Sequence, residues 1–454
     1  MRGKNIMLNI IVLIVNIIIV LSSNLSEYSQ SVLMCLNFIY ILWYVWTHFR
    51  LTPFFLFLVT FCFLFIGGHF WGNLFSPDLL STRVGSFMNP VPSTDEEWNK
   101  TLIYILIFLY CTLLGYEKTY AKNEFPLSNS IYLQPIGNRN KYQSLNVFLT
   151  AVFIPLSFVV INSQYKALLQ VLVGGYNVIY SYQSGNYSSN SSLLVLFYFF
   201  FAVTMVYGNK KNRILYLILL FLDCFIKILA GGRGSFGSFL MLGMWLYSFK
   251  WNISMKKIGI LGCIALIFLL GMSQISKRSQ DKDLEYNNIN DVVGLFVYAQ
   301  GESLSTFESS RNYTYPAIAY VQTFIPGSGF LYAKLIDTSS KNYESSFSLS
   351  LSRHLNRKRF EEGDGVGWTV MSDIYLFAGR TWVGFILLSI ILGCCFAKIE
   401  IKSKKTLVWR VVLFAIFLRL MILPRTGLNY ICPMIVYVLV FHSVLSKFFK
   451  LKKL

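Results

Sequence analysis

The residues most able to do chemistry in this chain are arginines at the ends of strongly apolar stretches. Arg233 lies among glycines in Ile228-Leu-Ala-Gly-Gly-Arg-Gly-Ser-Phe-Gly237, between two such stretches. A guanidinium stays charged when partly desolvated, and its planar fork binds phosphate oxygens through two hydrogen bonds. A helix that begins at Gly234-Ser235 would add unpaired N–H groups. The pattern indicates a phosphate-binding position, although Arg233 could instead reach to lipid headgroups after the glycines end a helix.

Further arginines stand where a membrane protein normally carries few cations, on the non-cytoplasmic side assigned below. They are Arg353, Arg357, Arg380, Arg419 and Arg425. Ionisable groups at membrane level are costly and by default mark function. Together with Arg233 they favour a ligand whose diphosphate sits at the membrane surface while its tail lies in the bilayer. A polyprenyl pyrophosphate that carries a sugar fits this description.

Transfer of that sugar requires groups that stabilise the departing diphosphate and a base for the attacking hydroxyl. We predict His354 and Asp373 as the candidate bases. His354 is flanked by Arg353 and Arg357, whose charges favour the neutral, proton-accepting imidazole. Alternatively, His354 is a solvated loop histidine, and Asp373 caps a helix or pairs with an arginine. The sequence contains no metal-binding or nucleotide-binding motif, so we expect neither a metal nor another cofactor.

One charged pair is predicted inside an apolar stretch. Asp223 and Lys227 are four residues apart, so both would lie on the same face of a helix. We predict that they form an ion pair.

The chain that positions these residues has the composition of a polytopic membrane protein. Of its 454 residues, 55% are hydrophobic and only 13% are charged, and its mean hydropathy is +0.54. A membrane-spanning helix needs about 20 apolar residues. We predict an all-α fold with about twelve transmembrane helices, the first of them an uncleaved span rather than a signal peptide. The twelve apolar stretches are 5–23, 30–48, 51–71, 101–116, 144–162, 193–207, 213–230, 235–249, 257–273, 379–397, 406–424 and 428–447.

The charges of the loops give the predicted orientation. Lysine and arginine concentrate at both termini and in alternate loops, which is the cytoplasmic pattern, whereas residues 73–99 are acidic. Both termini are therefore predicted to be cytoplasmic. The net charge of +19 reflects this topology, and no basic region with interleaved aromatic residues indicates a nucleic-acid partner. All eight cysteines fall within predicted spans, so we expect no disulfide framework.

The longest loop, residues 274–378, lies on the non-cytoplasmic side and carries both signs of charge. Its apolar residues are spaced as in short helices at 292–298 and 315–324, which argues against a disordered loop. We predict a small helical cap that is broken at 326–329 and at 363–367. The predicted division of the chain is 1–273, 274–378 and 379–454.

Several of these features occur together in one known family. Twelve predicted spans, a large loop before the last three, the glycine–arginine start of a mid-chain span and a glycine-rich segment leading into Asp373 resemble the bacterial O-antigen polymerases (Wzy). These are relatives of the O-antigen ligases and have a GT-C-like fold. The family's periplasmic arginines map onto Arg233, and also onto Arg353, Arg357 and Arg425. Many relatives carry a glutamate where this chain has Asp373.

The resemblance implies an enzyme that elongates O-antigen on undecaprenyl pyrophosphate at the periplasmic face of the bacterial inner membrane. It implies a chain-length co-polymerase (Wzz type) as protein partner. It also implies that a loop histidine of the ligase type maps onto His354.

Other functions fit part of the pattern. An O-antigen ligase would use the same site chemistry with a different acceptor. A flippase for the lipid-linked repeat unit also has about twelve spans, but transporters favour charges at the membrane midplane and repeated halves. The charges here are displaced to one side and no internal repeat is visible, which favours the polymerase. A membrane acyltransferase would need a histidine at the centre of a predicted span, where none occurs.

Overall fold

The structure is a computed structural model that describes residues 2–22, 25–83, 88, 90–121, 142–175, 191–251, 253–275, 288–335 and 342–449. All regular secondary structure within these ranges is helical, which confirms the predicted all-α class. The α-helices are α1 (Arg2–Ser22), α2 (Glu27–Phe49), α3 (Pro53–Thr60), α4 (Gly68–Phe75), α5 (Asp95–Ala121), α6 (Gln143–Gly174), α7 (Ser191–Tyr207), α8 (Lys210–Leu229), α9 (Arg233–Ser248), α10 (Met255–Ile275), α11 (Ile289–Gln300), α12 (Ser303–Ser310), α13 (Ala317–Phe324), α14 (Ser328–Leu335), α15 (Phe347–Leu355), α16 (Arg357–Glu361), α17 (Val370–Phe377), α18 (Trp382–Lys405), α19 (Leu407–Met421) and α20 (Cys432–Phe449). The remaining elements are a π-helix (Phe61–Phe65) and 3-10 turns at Asn342–Ser345, Leu423–Arg425 and Leu428–Tyr430.

The long helices are those of a multi-pass membrane protein. Each of the twelve predicted apolar stretches falls on a helical segment. By length and apolar composition, five helices of the described chain could cross a membrane, and a sixth span results if one bent pair counts as a single crossing. The total of twelve spans, their orientation and the GT-C-like arrangement stay predictions.

The bent pair is the stretch that the sequence predicts as the third span. Pro53–Phe65 and Gly68–Phe75 meet at an angle of 48°. The break follows the π-helix, in which the backbone nitrogens of Ile66 and Gly67 both donate to the carbonyl of Phe61. A π-turn leaves carbonyls to be satisfied from outside the helix. The indole of Trp71 donates to one of these, the carbonyl of Cys62, at 2.8 Å.

Helices α5 and α18 form the closest-packed pair in the bundle. A Cβ on Gly115 would lie 2.0 Å from the carbonyl oxygen of Ile390, and one on Gly393 would lie 1.9 Å from that of Thr112. Small residues at such positions let two membrane helices approach backbone to backbone. This contact forms the rigid centre of the bundle.

The seven helices α11 to α17 lie within the predicted cap and pack at one end of this bundle, which we call the cap end. Arg311, which follows α12, donates to Thr101 near the start of α5 at 2.9 Å. The predicted short helices at 292–298 and 315–324 coincide with α11 and α13. Residues 325–327 separate α13 from α14, which overlaps the break predicted at 326–329, and residues 363–367 lie between α16 and α17, as predicted. The domain boundaries at 273 and 378 stay predictions.

Cap helix α11 packs tightly against α4, the second half of the bent pair. A Cβ on Gly72 would lie 2.6 Å from the Cβ of Tyr298 and 2.9 Å from the carbonyl of Gly294, and one on Gly301 would lie 2.4 Å from the nitrogen of His69. The ring of His69 stacks on Tyr298 with centroids 4.1 Å apart. Glycine thus lets α4 and α11 pack closely, and α11 carries Phe296, an aromatic residue of the site described next.

Candidate phosphate-binding site

Arg233 is the first residue of α9, in agreement with the helix start that the glycine-rich sequence predicts to within two residues. Gly231 adopts φ +91°, a conformation that glycine reaches at little cost. The nitrogen of Gly232 donates to the carbonyl of Lys227 at 2.7 Å, which closes the end of α8. The guanidinium of Arg233 is half-buried and lies 5.4 Å from the ring centroid of Phe296 in α11.

Arg425 lies at the junction between α19 and α20, as Arg233 lies at the junction between α8 and α9. It ends a 3-10 turn that includes Pro424, and its carbonyl accepts a hydrogen bond from the nitrogen of Trp368 at 3.2 Å. Its half-buried guanidinium lies 5.9 Å from the ring centroid of Phe65, at the end of the π-helix.

Arg233 and Arg425 are supported by elements that pack against each other. The π-helix that ends at Phe65 packs against α11, which carries Phe296. A Cβ on Gly234 would lie 3.2 Å from Ile422, just before the 3-10 turn of Arg425. We refer to Arg233 and Arg425 as the arginine pair and to Phe65 and Phe296 as the aromatic floor. This arrangement offers two guanidiniums to an anion.

Asp373 borders the arginine pair from the cap side. Its side chain, 1% exposed, accepts from the indole nitrogen of Trp368 at 2.7 Å and from the backbone nitrogen of Leu428. Burial raises the pKa of Asp373 to about 7. Thr369 provides the side-chain cap of its helix, and Asp373 takes part in no ion pair within the described residues. Both carboxylate oxygens therefore accept hydrogen bonds from protein groups. One donor, Trp368, also bonds to the backbone of Arg425, and the other, Leu428, lies in the segment that follows Arg425.

His354, Arg353 and Arg380 form a second group on the cap, around tyrosines. The exposed ring of His354 stacks on Tyr313 with centroids 4.4 Å apart. Arg380 donates to the carbonyl of Tyr313 at 2.6 Å from a backbone with φ +61°. The guanidinium of Arg353 lies 4.4 Å from the ring centroid of Tyr343. His354 and Arg380 thus both contact Tyr313, and Arg353 contacts the ring of Tyr343.

Aromatic contacts link this group to the arginine pair. Tyr313 packs edge-on against Tyr315 at 4.6 Å between centroids, and Tyr315 packs against Trp368 at 5.6 Å. Trp368 in turn contacts both Asp373 and the backbone of Arg425. The cap therefore connects the two groups through a continuous aromatic cluster.

Arg357 differs from the other predicted ligands. Its side chain is 70% exposed and pairs with Glu361 at 2.9 Å. A surface pair of this kind contributes little in water. The structure shows no contact of Arg357 with the arginine pair among the described residues.

Arg419 lies within the last turn of α19, next to α7. It donates to the carbonyl of Tyr430 at 2.7 Å, and its guanidinium lies 5.7 Å from the ring centroid of Tyr198. On the adjacent α8, the Nζ of Lys227 lies 2.7 Å from Oδ2 of Asp223, which confirms the predicted ion pair. Tyr430 belongs to the segment that Asp373 holds through Leu428, so Arg419 is tied to the same junction as Arg425.

A family model described as O-antigen polysaccharide polymerase Wzy matches residues 5–452, nearly the whole chain. The chain belongs to this family. This match confirms the resemblance to the Wzy family that was inferred from the sequence. No curated protein and no solved structure matches the chain. Membership in the Wzy family supports a role as an O-antigen polymerase, which is a polymerising glycosyltransferase.

Sequence reasoning missed several residues that this Wzy-family chain places around the site. Phe65, Phe296 and Tyr198 support guanidiniums, but nothing distinguishes them from the many other aromatic residues of an apolar chain. Glu308 accepts from Thr101 at 3.0 Å, and burial raises its pKa to about 7. Glu308 stands three residues before Arg311 in the charged loop. This spacing, which brings two side chains to the same face of a helix, was the signal for Glu308 in the sequence.

The described residues contain no group of three or more histidine, cysteine or carboxylate side chains that could hold a metal ion.

Proposed function

We propose that this protein joins oligosaccharide repeat units carried on undecaprenyl pyrophosphate, at the periplasmic face of the bacterial inner membrane, in lipopolysaccharide O-antigen synthesis. Family membership supports the polymerase class. The observation that carries the substrate proposal is the arginine pair, two half-buried guanidiniums from different helix junctions, each over its own aromatic ring on elements that pack together. Membrane lipids surround the bundle, and a chain-length co-polymerase of the Wzz type is the proposed protein partner. No nucleic acid takes part.

In the proposed reaction, the anomeric carbon of the growing chain is transferred from its lipid carrier to a hydroxyl of a new lipid-linked unit. The bond between this carbon and the diphosphate oxygen breaks, and the diphosphate keeps the electron pair. A new bond forms between the same carbon and the acceptor oxygen, whose proton goes to a base. The products are a chain that is longer by one unit on the second carrier and undecaprenyl pyrophosphate.

The arginine pair stabilises the negative charge that develops on the departing diphosphate. Each guanidinium is fixed over a ring before the substrate binds, so little reorganisation is needed during the reaction. Arg233 is also the first residue of α9, so the positive potential of the helix N-terminus would add to its charge. An arginine fork suits a diphosphate better than an ammonium group, because it binds two oxygens at once.

We assign the proton acceptor to His354 and a positioning role to Asp373. His354 is exposed on the cap, where a sugar hydroxyl has access to its ring. Asp373 is buried, and both of its oxygens already accept hydrogen bonds, from Trp368 and Leu428. Its carboxylate therefore holds the segment that carries Arg425 rather than the substrate. Arg353 and Arg380, beside the same tyrosines, would bind sugar or phosphate groups of the chain.

The test is complementation of a polymerase-deletion strain, read on a lipopolysaccharide gel. Expression of this chain with its cognate repeat unit should restore a ladder of long chains, whereas the deletion strain shows core plus one repeat unit. An O-antigen ligase or a flippase is the alternative function. A strain that lacks its O-antigen ligase or its flippase shows bare core, without even the single repeat unit. Bare core in a strain that lacks this protein would therefore contradict the polymerase proposal.

A further inference from the structure

The two helix junctions that supply the arginine pair also supply a second pair of cations. The α8–α9 junction carries Lys227 as well as Arg233, and the α19–α20 junction carries Arg419 as well as Arg425. Lys227 and Arg419 both lie against Tyr198 of α7, with Nζ 5.9 Å and Cζ 5.7 Å from its ring centroid. At each junction, therefore, one cation lies over a ring of the aromatic floor and the other lies against Tyr198. The cations against Tyr198 are Lys227 and Arg419.

The charges around Tyr198 do not balance among the residues that the structure describes. Asp223, which is fully buried, pairs with Lys227, whose side chain is 15% exposed. Arg419 adds a second cation and uses one N–H group on the carbonyl of Tyr430. Within this part of the chain, one carboxylate and two cations leave one net positive charge at the cap-end helix termini, and uncompensated charge at membrane level is costly. An anion at this point would remove that cost.

The position of this cluster suits a lipid phosphate. Lys227 lies in the last turn of α8 and Arg419 in the last turn of α19, both at the cap end of their helices. Phosphates of membrane lipids lie at the level where transmembrane helices end. The hydroxyl of Tyr198 lies 3.5 Å from Nζ of Lys227, so it can turn its proton toward an anion held there.

We propose that Lys227, Arg419 and the hydroxyl of Tyr198 form a second phosphate subsite that binds the diphosphate of the acceptor lipid. The arginine pair then binds the diphosphate of the donor. This inference rests on the proposed function, because a polymerase that joins two lipid-linked units must hold two diphosphates at the same time. Two cation pairs built from the same two junctions would place those diphosphates side by side.

Native mass spectrometry of the purified protein with undecaprenyl pyrophosphate tests the proposal by counting bound lipids. The wild type should bind two copies. A Lys227→Met, Asp223→Asn double variant removes the ammonium group from the subsite without leaving the carboxylate of Asp223 buried and unpaired. It should bind one copy, as should Arg419→Gln. Tyr198→Phe removes only the hydroxyl and should weaken the second binding event by about tenfold.

The matched control is Lys404→Met at the opposite end of the bundle. Lys404 donates to Tyr120 at 3.0 Å and lies 5.7 Å from its ring centroid, the same kind of contact that Lys227 makes with Tyr198. This variant should still bind two copies. If it also lost one, the effect of the Lys227 variant would be one of general destabilisation, and the subsite proposal would be overturned.

Two further results would overturn the subsite while leaving the proposed function intact. The first is a wild type that binds one copy. The second is displacement of the second copy by phosphatidylglycerol at equal concentration, which would show a site for phospholipid headgroups. Failure of the proposed function looks different, because Arg233→Ala would then leave the lipopolysaccharide ladder unchanged whatever the number of bound lipids.

Discussion

Oδ2 of Asp373 accepts a hydrogen bond from the backbone nitrogen of Leu428, 55 residues further along the chain. This contact joins cap helix α17 to the segment between α19 and α20. The segment runs from Arg425 to Tyr430, whose carbonyl holds Arg419. The buried carboxylate of Asp373 thus fixes the backbone segment that carries Arg425 and holds Arg419. The cap therefore contributes to the packing around the candidate site.

Replacement of Arg233 by alanine should abolish the long-chain ladder in the complementation strain. The variant loses one of the two guanidiniums that stabilise the leaving diphosphate, and removal of one such donor costs about 100-fold or more in rate. Arg233→Lys should restore the ladder poorly, because an ammonium group lacks the bidentate fork. Lys100→Ala is the control, since Lys100 is an exposed cation at the cap end that pairs with Glu96. A full ladder from Arg233→Ala would remove this residue from the site.

Replacement of Asp373 by asparagine should weaken substrate binding more than chemistry. The amide keeps one acceptor oxygen but turns an NH₂ group toward either Trp368 or Leu428, so the Arg425 segment loses one restraint. In a transfer assay with purified lipid-linked units, we expect a raised KM and a smaller change in kcat. A fall of more than about 100-fold in kcat at unchanged KM would instead identify Asp373 as the base.

The same variant should alter the pH dependence of stability. Because burial raises the pKa of Asp373 to about 7, the folded protein binds a proton more tightly than the unfolded chain, whose aspartate pKa is about 3.9. Its contribution to stability is thus present at low pH and is lost as the pH rises through about 7. The decrease in Tm between pH 5 and pH 8 should be smaller in Asp373→Asn than in the wild type. An unchanged decrease would mean that Asp373 does not titrate in this range.

Replacement of His354 by glutamine should reduce kcat by about 100-fold or more, the usual loss for a missing general base. The ring of His354 stacks on Tyr313 at the cap surface, so the exchange should leave Tm nearly unchanged. Tyr313→Phe is the control, because it keeps the stacked ring and the carbonyl that Arg380 uses. Polymerisation at the wild-type rate by His354→Gln would exclude this histidine as the proton acceptor.

Replacement of Gly72 by alanine should impair activity through the support of the arginine pair. The added Cβ would lie 2.6 Å from Tyr298, so α11 must move away from α4 and carry Phe296 with it. Overpacking of this kind costs about 1–3 kcal/mol. We expect a lower Tm and a weaker ladder. In Gly243→Ala, a control in α9, the new Cβ meets no atom within 4 Å, and both measurements should stay near wild type.

Local features of the site could be predicted from the sequence because they depend on neighbours in the chain. The pairing of Asp223 with Lys227 follows from their helical spacing, and the start of α9 at Arg233 follows from its glycines. The short cap helices follow from apolar spacing. Such patterns need no knowledge of the tertiary fold.

Contacts between distant segments could not be predicted in the same way. Asp373 was recognised as a candidate residue, but its bond to Leu428 depends on how the cap packs against the last two helices. The contact of Phe65 with Arg425 joins residues 360 positions apart, and the bend that follows Phe65 had only the pair Gly67-Gly68 as its sequence signal. Hydropathy alone predicted that stretch as an unbroken span, because it is insensitive to a change of helix direction.

The most direct test of the central proposal is a double-mutant cycle on Arg233 and Arg425, measured as the rate of polymer formation by purified protein. If both guanidiniums bind the same departing diphosphate, their effects are coupled. Arg233→Ala and Arg425→Ala should each slow the reaction by about 100-fold, and the double variant should be far less than 10,000-fold slower. Effects that multiply fully, or a wild-type rate in either single variant, would contradict a shared diphosphate site.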